Sequence, residues 1–330
     1  MTSPSTQSPP LFSKIAIAPM IDWTYMHFRV FMRILAPNVL LYTEMQTTGA
    51  VEFNPQRALE HCDLEHPIAL QLGGSDRTAL ARSTQIAEVS GFAEVNLNLG
   101  CPSDRVQAGR FGACLMAEPQ IVNDCISAMK DTVSIPVSAK IRIGIDEQDS
   151  YQHFADFAHG LVHAGCDKII IHARKAWLNG LSPKQNRTIP PLHYDYVYRL
   201  KKELPNFPIV INGNIQTREE VNHHLSTVEG VMLGRVCYQN PYRLAEINKD
   251  LYPETLILNR DAVLQRYLTY VTEVYRKGER LSQFIKPLLN LTHGLPGARL
   301  WREKLTLIQR EGDITPLVEM DTTDLALIEV

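Results

Sequence analysis

The sequence predicts an α/β fold: a (β/α)8 TIM barrel followed by an all-helical segment. Three observations carry that prediction. Eight short apolar or β-branched runs recur before residue 250, helical patterns lie between them, and no glycine-rich dinucleotide loop follows the first run. Strand–helix alternation implies right-handed βαβ units and a parallel sheet. Without the glycine fingerprint, closure into a barrel is favoured over a doubly wound sheet.

The runs lie at 15–20, 39–45, 68–73, 94–99, 137–143, 168–173, 209–212 and 231–234. Most read as continuous apolar stretches, as strands covered on both faces do. Segment 78–90 has a helical pattern stopped by Gly91. A second helix takes Asp149 or Ser150 as N-cap, runs through Tyr151, Phe154, Phe157, Ala158, Leu161 and Val162, and stops at Gly165. Thr217-Arg218-Glu219-Glu220 has the form of a capping box opening a third. Past Asp250 there are helical runs, such as 262–275 and 282–291, and no strand-like one. The expected division is a disordered tail at 1–10, a barrel at 11–250 and a helical domain at 251–330.

With 45% hydrophobic and 21% charged residues the composition is that of a soluble globular protein, and bulk disorder is excluded. Six scattered cysteines with no CxxC pair read as reduced thiols in a cytoplasmic protein, not as a disulfide framework. The Ser/Thr/Pro-rich start has neither the basic opening nor the apolar run of a signal peptide or anchor. No apolar stretch approaches the ~20 residues of a spanning helix. The net charge of −3 hides a segregation. Residues 260–310 hold ten Lys/Arg against four acids, and only acids follow. This pattern fits either a solvated helical face or a phosphate-backbone footprint.

In a barrel of this kind chemistry sits at the C-terminal strand ends, and phosphate often sits on the loops after strands seven and eight. Strand one ends Ala18-Pro19-Met20, where proline turns the chain and lets backbone approach a flat ligand. Strand three supplies Gln71, whose amide both donates and accepts, as the edge of a flavin pyrimidine ring requires; a core glutamine satisfied within the barrel is the competing reading. Strand four ends in Asn98 and the tight turn Gly100-Cys101-Pro102, followed by a glycine- and arginine-containing loop at 105–112. Strand five carries Lys140, an ammonium that needs an anion if buried. His172 ends strand six. Strand seven ends Asn212-Gly213-Asn214 ahead of the Thr217 helix start, and strand eight ends Gly234-Arg235. Glycines, helix N-termini and Arg235 make this the expected phosphate site. His159 and His163, at i and i+4, have no third ligand in view, so no metal is expected.

Together the segments APM at Ala18–Met20, TEM at 43–45, QLG at 71–73, VNLNLGCPSDRVQAGRFGACLM at 95–116, AKIRIG around Lys140, HAR at 172–174 and RKAWLNGLSPKQNR at 174–187 resemble the tRNA-dihydrouridine synthases. The last stretch is similar to the bacterial A subfamily. The resemblance covers residues 11–310 and implies an FMN-bound barrel with a C-terminal helical tRNA-binding domain. It implies NADPH-driven reduction of the C5–C6 bond of uridine 20 or 20a in the tRNA D-loop, with hydride from flavin N5 to C6 and a proton from Cys101 to C5. Carried over by motif, Ala18, Pro19, Met20, Gln71, Lys140, His172, Asn212, Gly213, Asn214, Gly234 and Arg235 would hold FMN. Asn98, Lys184, Arg187, Arg299 and Arg302 would contact tRNA. Asn214 departs from the glycine or aspartate common in relatives, which leaves its side chain without an assigned role. A cytoplasmic monomer without a stable protein partner is expected. Two other readings remain open: a flavin barrel reducing a small molecule, and a non-catalytic tRNA-binding module.

Overall fold

The computed structural model describes residues 13–276 and 279–320; the tail at 1–10, the first barrel residues and the last acids lie outside them. Eight strands form one parallel sheet: β1 (Ile15–Ile17), β2 (Leu41–Thr47), β3 (Ile68–Gly73), β4 (Glu94–Leu99), β5 (Val137–Arg142), β6 (Lys168–His172), β7 (Ile209–Asn212) and β8 (Gly230–Leu233). Each consecutive pair from β2 to β8 is hydrogen-bonded and β8 pairs with β1. The β1–β2 seam is joined by the parallel bridge Ala16–Leu40, with Ile17 N–H donating to Leu40 O and Leu40 N–H to Ile15 O, each at 3.0 Å. The sheet is therefore a barrel with helices around it.

Each expected strand forms, but the two faces differ more than continuous apolar runs suggest. Outward residues such as Leu70, Val95, Leu97, Ile141, Ile169 and Ile211 are fully buried against the helical layer. Each such side chain contributes roughly 1.5–3 kcal/mol by leaving water. The inward face begins apolar, with Ala16, Leu40, Tyr42, Ala69, Ile170, Val210 and Met232. It also carries Gln71, Glu94, Asn96, Asn98, Ser138, Arg142, Lys168, His172 and Asn212, all buried. Strand period two places these polar groups inside the ring. At the barrel floor Glu94 pairs with Lys168 and accepts from Tyr42 Oη at 2.6 Å and Ser138 Oγ at 2.5 Å.

The helix signals act where the sequence placed them. Asp76 accepts from Ala79 N–H at 2.8 Å to open the helix Arg77–Val89, and Gly91 follows with φ +88°. Ser150 is the N-cap of Tyr151–His163, and Gly165 has φ +91°. The Thr217/Glu220 capping box forms at Arg218–Leu225. Beyond the helix Pro241–Leu251 come Arg260–Val274, Leu281–Ile285, Ala298–Glu311 and Thr315–Val318. Their apolar face joins the same buried cluster as the barrel's outer layer. His27 Nδ1 lies 2.7 Å from Tyr270 Oη, Phe31 meets Tyr267 edge-on, and Asn290 Nδ2 donates to Tyr238 O at 2.7 Å. No helix among the described residues is long and apolar enough to cross a membrane.

Removing one partner of a buried ion pair leaves an uncompensated charge, so Lys168→Met should destabilise the protein by ~3–5 kcal/mol. Urea unfolding is the measurement; Glu94→Gln combined with Lys168→Met should recover part of the loss.

Candidate active site

The C-terminal strand ends surround a cavity of about 520 Å³. Every residue expected to hold a cofactor lines it: Ala18, Pro19 and Met20 after β1, Gln71 on β3, Lys140 on β5, His172 on β6, Asn212, Gly213 and Asn214 at β7, and Gly234 and Arg235 after β8. Cys101, Asn98 and Arg187 line it as well. Lys184 is exposed at the start of the single turn Gln185–Arg187. Arg299 and Arg302 lie elsewhere, on Ala298–Glu311, where they line a surface groove with Arg310.

Local chemistry explains each placement. Pro19 ends β1, and Thr24 pins the turn, its Oγ1 accepting from Met20 N–H at 3.0 Å. Gly213 has φ +133°, a conformation L side chains rarely adopt, and a Cβ there would come within 3.1 Å of Leu192 and His172. Asn214, at φ +55°, takes the left-handed region that asparagine tolerates. Its Oδ1 accepts from Arg235 Nη2 at 3.4 Å and Gln216 Nε2 at 3.2 Å, tying the β7 and β8 ends together. One expectation changes. The helix start after β7 is already capped: Glu220 Oε2 accepts from Gln216 N–H at 2.7 Å and Thr217 N–H at 2.9 Å. With Glu219 and Glu220 in its first turn, that helix end repels an anion. An anion at this edge must rely on the 213–214 turn and Arg235.

The wall formed by β5 and β6 is cationic. Lys140 Nζ donates to neutral Asn212 Oδ1 at 3.3 Å, and burial, with Arg142 adding to it, pushes its ammonium down to about 7. Burial holds His172 well below the ordinary imidazole range, so it is neutral near pH 7. No carboxylate among the described residues forms an ion pair with Lys140 or Arg142.

Cys101, half-buried, sits on a turn held from several sides. Asn98 Oδ1 accepts from Gly100 N–H at 3.2 Å and Cys101 N–H at 3.1 Å, and Cys101 O accepts from Ala113 N–H at 2.9 Å. Arg142 donates to Gly100 O at 3.0 Å, Lys175 O at 3.0 Å and Asn186 O at 2.9 Å. Gln107 Nε2 bridges Pro102 O at 2.9 Å and Leu178 O at 2.6 Å. The Cys101 loop and the 174–187 segment are thus one unit, closed around buried Asn186, which exchanges hydrogen bonds with Trp177.

Among the lining residues given no role from sequence are Trp23, Met45, Arg142 and Tyr238. Arg142 was the most legible, standing two positions after Lys140 and so on the same strand face. Met45 is aimed inward by a register shift between Tyr42 and Met45, a local bulge. Trp23 and Tyr238 follow the neighbouring strands β1 and β8, far apart in sequence, and stack with ring centroids 3.9 Å apart.

A family model described as dihydrouridine synthase matches residues 16–326. Among curated proteins the chain is similar to three named tRNA-dihydrouridine(20/20a) synthase. It is 52% identical to that of Shewanella oneidensis over 88% of this chain and 87% of the relative. It is 50% identical to that of Synechocystis sp. over 88% of each chain. It is 49% identical to that of Escherichia coli K12 over 89% of this chain and 86% of the relative.

An alanine at Gly112, which has φ +78°, would put Cβ 2.4 Å from Val106 Cγ1 and 2.6 Å from Cys101 O. Gly112→Ala should therefore loosen the Cys101 turn at a cost of at least ~1–2 kcal/mol for the left-handed residue alone. Alkylation mapped to Cys101 by mass spectrometry should speed up several-fold.

Proposed function

The chain belongs to the dihydrouridine synthase family, and we propose that it reduces the C5–C6 bond of uridine 20 and 20a in the D-loop of tRNA, using FMN held in the barrel cavity and NADPH as electron source. One observation carries this reading: a cationic wall of buried Arg142 and half-buried Lys140, with no carboxylate ion-paired to either, faces the same cavity as the Cys101 thiol.

FMN fits the residues present. A cavity of about 520 Å³ is within the usual range for cofactor pockets. Lys140 is costly as an isolated buried ammonium, and an electron-rich ring edge beside it offsets that cost. Gln71, with one amide hydrogen and one lone pair beyond its bonds to Asn96 and Asn98, suits a pyrimidine edge. Gly213, Asn214, Gly234 and Arg235 suit a terminal phosphate. The turn at Ala18, Pro19 and Met20 would lie against the ring, and His172, Asn212 and Lys140 would hold its polar side. When bound, FMN supplies the hydride that reduces uridine C6.

The chain's own residues supply the rest. The target uridine must leave its stack to reach the cavity, and a loop nucleotide does so at low cost. Cys101 donates its thiol proton to C5, and here a thiol serves better than a thiolate because the step needs an acid. The cationic wall offsets the negative charge that develops on the pyrimidine. Helices after residue 251 act as the tRNA-binding domain, and exposed Lys184, Arg187, Arg299 and Arg302 meet phosphates. Free cysteines throughout match a reducing, cytoplasmic setting.

Purified protein should show flavin absorption that bleaches with NADPH and recovers without oxygen when tRNA lacking dihydrouridine is added. Absence of flavin after reconstitution with FMN would sink the reading. Cys101→Ala should keep flavin and NADPH oxidation while dihydrouridine formation drops at least ~10²-fold.

Bound FMN should raise the Lys140 ammonium above its value of about 7 in the protein alone, so binding takes up a proton as pH climbs past 7. Affinity of the apoprotein for FMN should therefore fall above pH 7, by at most ~tenfold per pH unit for one proton. Flavin fluorescence quenching reads this directly, and Lys140→Met should bind more weakly with a flattened pH profile.

A further inference from the structure

An unbroken hydrogen-bonded chain runs up the barrel interior from its floor to the Cys101 turn. Ser138 Oγ donates to Glu94 Oε1 at 2.5 Å, and Asn96 Nδ2 donates to Ser138 Oγ at 2.8 Å. Gln71 Nε2 donates to Asn96 Oδ1 at 2.8 Å, and Asn98 Nδ2 donates to Gln71 Oε1 at 2.8 Å. Asn98 Oδ1 then accepts from the N–H groups of Gly100 and Cys101. Ser138 and Asn96 are fully buried, and Gln71 is 1% exposed.

Both ends of the chain have fixed polarity. Glu94, ion-paired with Lys168, only accepts; the backbone N–H groups of Gly100 and Cys101 only donate. Every amide between them must point its NH2 toward the floor. Flipping one would set donor against donor and acceptor against acceptor among buried groups, a cost of ~1–3 kcal/mol for each orphaned group. Asn98, which lines the cavity, thus has both lone pairs of Oδ1 committed to backbone and one N–H beyond its bond to Gln71.

We propose that Ser138 and Asn96 are positioning residues that lock Asn98 as a donor toward the substrate, so that the site reads the O4 carbonyl of uracil against the amino group of cytosine. This rests on the uridine-reduction reading above. C5, the atom Cys101 protonates, is bonded to C4, which carries O4 in uracil and an amine in cytosine. Asn98, whose Oδ1 accepts from the Cys101 N–H, therefore brings its remaining Nδ2 hydrogen close to the atom that distinguishes the two bases. The same N–H stabilises charge developing on O4, so the lock acts on rate as well as on choice. A site with a fixed donor rejects a base that presents another donor, because both are left unpaired.

The test uses the full-length FMN-loaded protein and tRNA transcripts carrying uridine or cytidine at the target positions. Wild type should bind the uridine transcript at least ~10-fold more tightly. In Ser138→Ala, measured at saturating FMN, that ratio should fall below about threefold and kcat for dihydrouridine should drop. Ser138→Thr, which restores the hydroxyl, should recover both. Asn98→Asp removes the donor at the cavity, so it should abolish or invert the preference, and it keeps the test open if Ser138→Ala folds poorly. Active Ser138→Ala or Asn98→Asp protein with the wild-type ratio would overturn the lock alone. Wild-type protein that forms no dihydrouridine in any transcript would overturn the functional reading and the lock with it.

Discussion

The barrel can hold charge at its floor only because every polar group above that charge has a partner. A carboxylate and an ammonium removed from water are expensive, and their attraction offsets that cost only with complete hydrogen bonding around them. Glu94 and Lys168 meet the condition through Tyr42 and Ser138, and Ser138 passes it upward to Asn96, Gln71 and Asn98. The last link reaches the backbone of the Cys101 turn. A demand for satisfied polar groups at one end of the barrel therefore fixes side-chain orientation at the other.

Rigidity on the catalytic face has a second source in Arg142. Its guanidinium joins the carbonyls of Gly100, Lys175 and Asn186, so the Cys101 loop and both ends of the 174–187 segment depend on one buried fork. Lys175 extends the tie to Asp149 at 2.7 Å and lies over the Trp177 ring. On the opposite rim Lys286 lies over Trp23, whose far side stacks on Tyr238, and Asn290 donates to Tyr238 O. The cavity mouth is thereby braced by the helices that follow the barrel. Several cations of the basic segment, Arg260 and Lys286 among them, serve packing. Arg299, Arg302 and Arg310 remain at a surface groove, and Arg299 is paired with Glu303 at 2.8 Å.

Much of the fold was legible from local pattern, and its deviations have local causes. β1 stops at Ile17, short of the expected residue 20, because Pro19 has no N–H to continue a ladder. β2 runs on to Thr47 because the bulge after Tyr42 restores pairing of Met45 with Gln71. The expected helix at 282–291 shortens to Leu281–Ile285 with a 3-10 turn where Pro287 interrupts it. Reading the strands as apolar throughout fails for a different reason. Strand 137–142, VSAKIR, alternates strictly, and only closure of the ring makes its polar side an interior.

The sequence by itself determined the eight strands, the caps at Ser150 and Thr217, the Cys101 turn and the cavity residues at the strand ends, because each is written in a short stretch of neighbouring residues. Tertiary structure alone decided that Met45, Trp23 and Tyr238 reach the cavity, and which way the buried amides point. Those outcomes depend on pairings between residues 25 to more than 200 positions apart, fixed by strand register and ring closure, which no local pattern encodes.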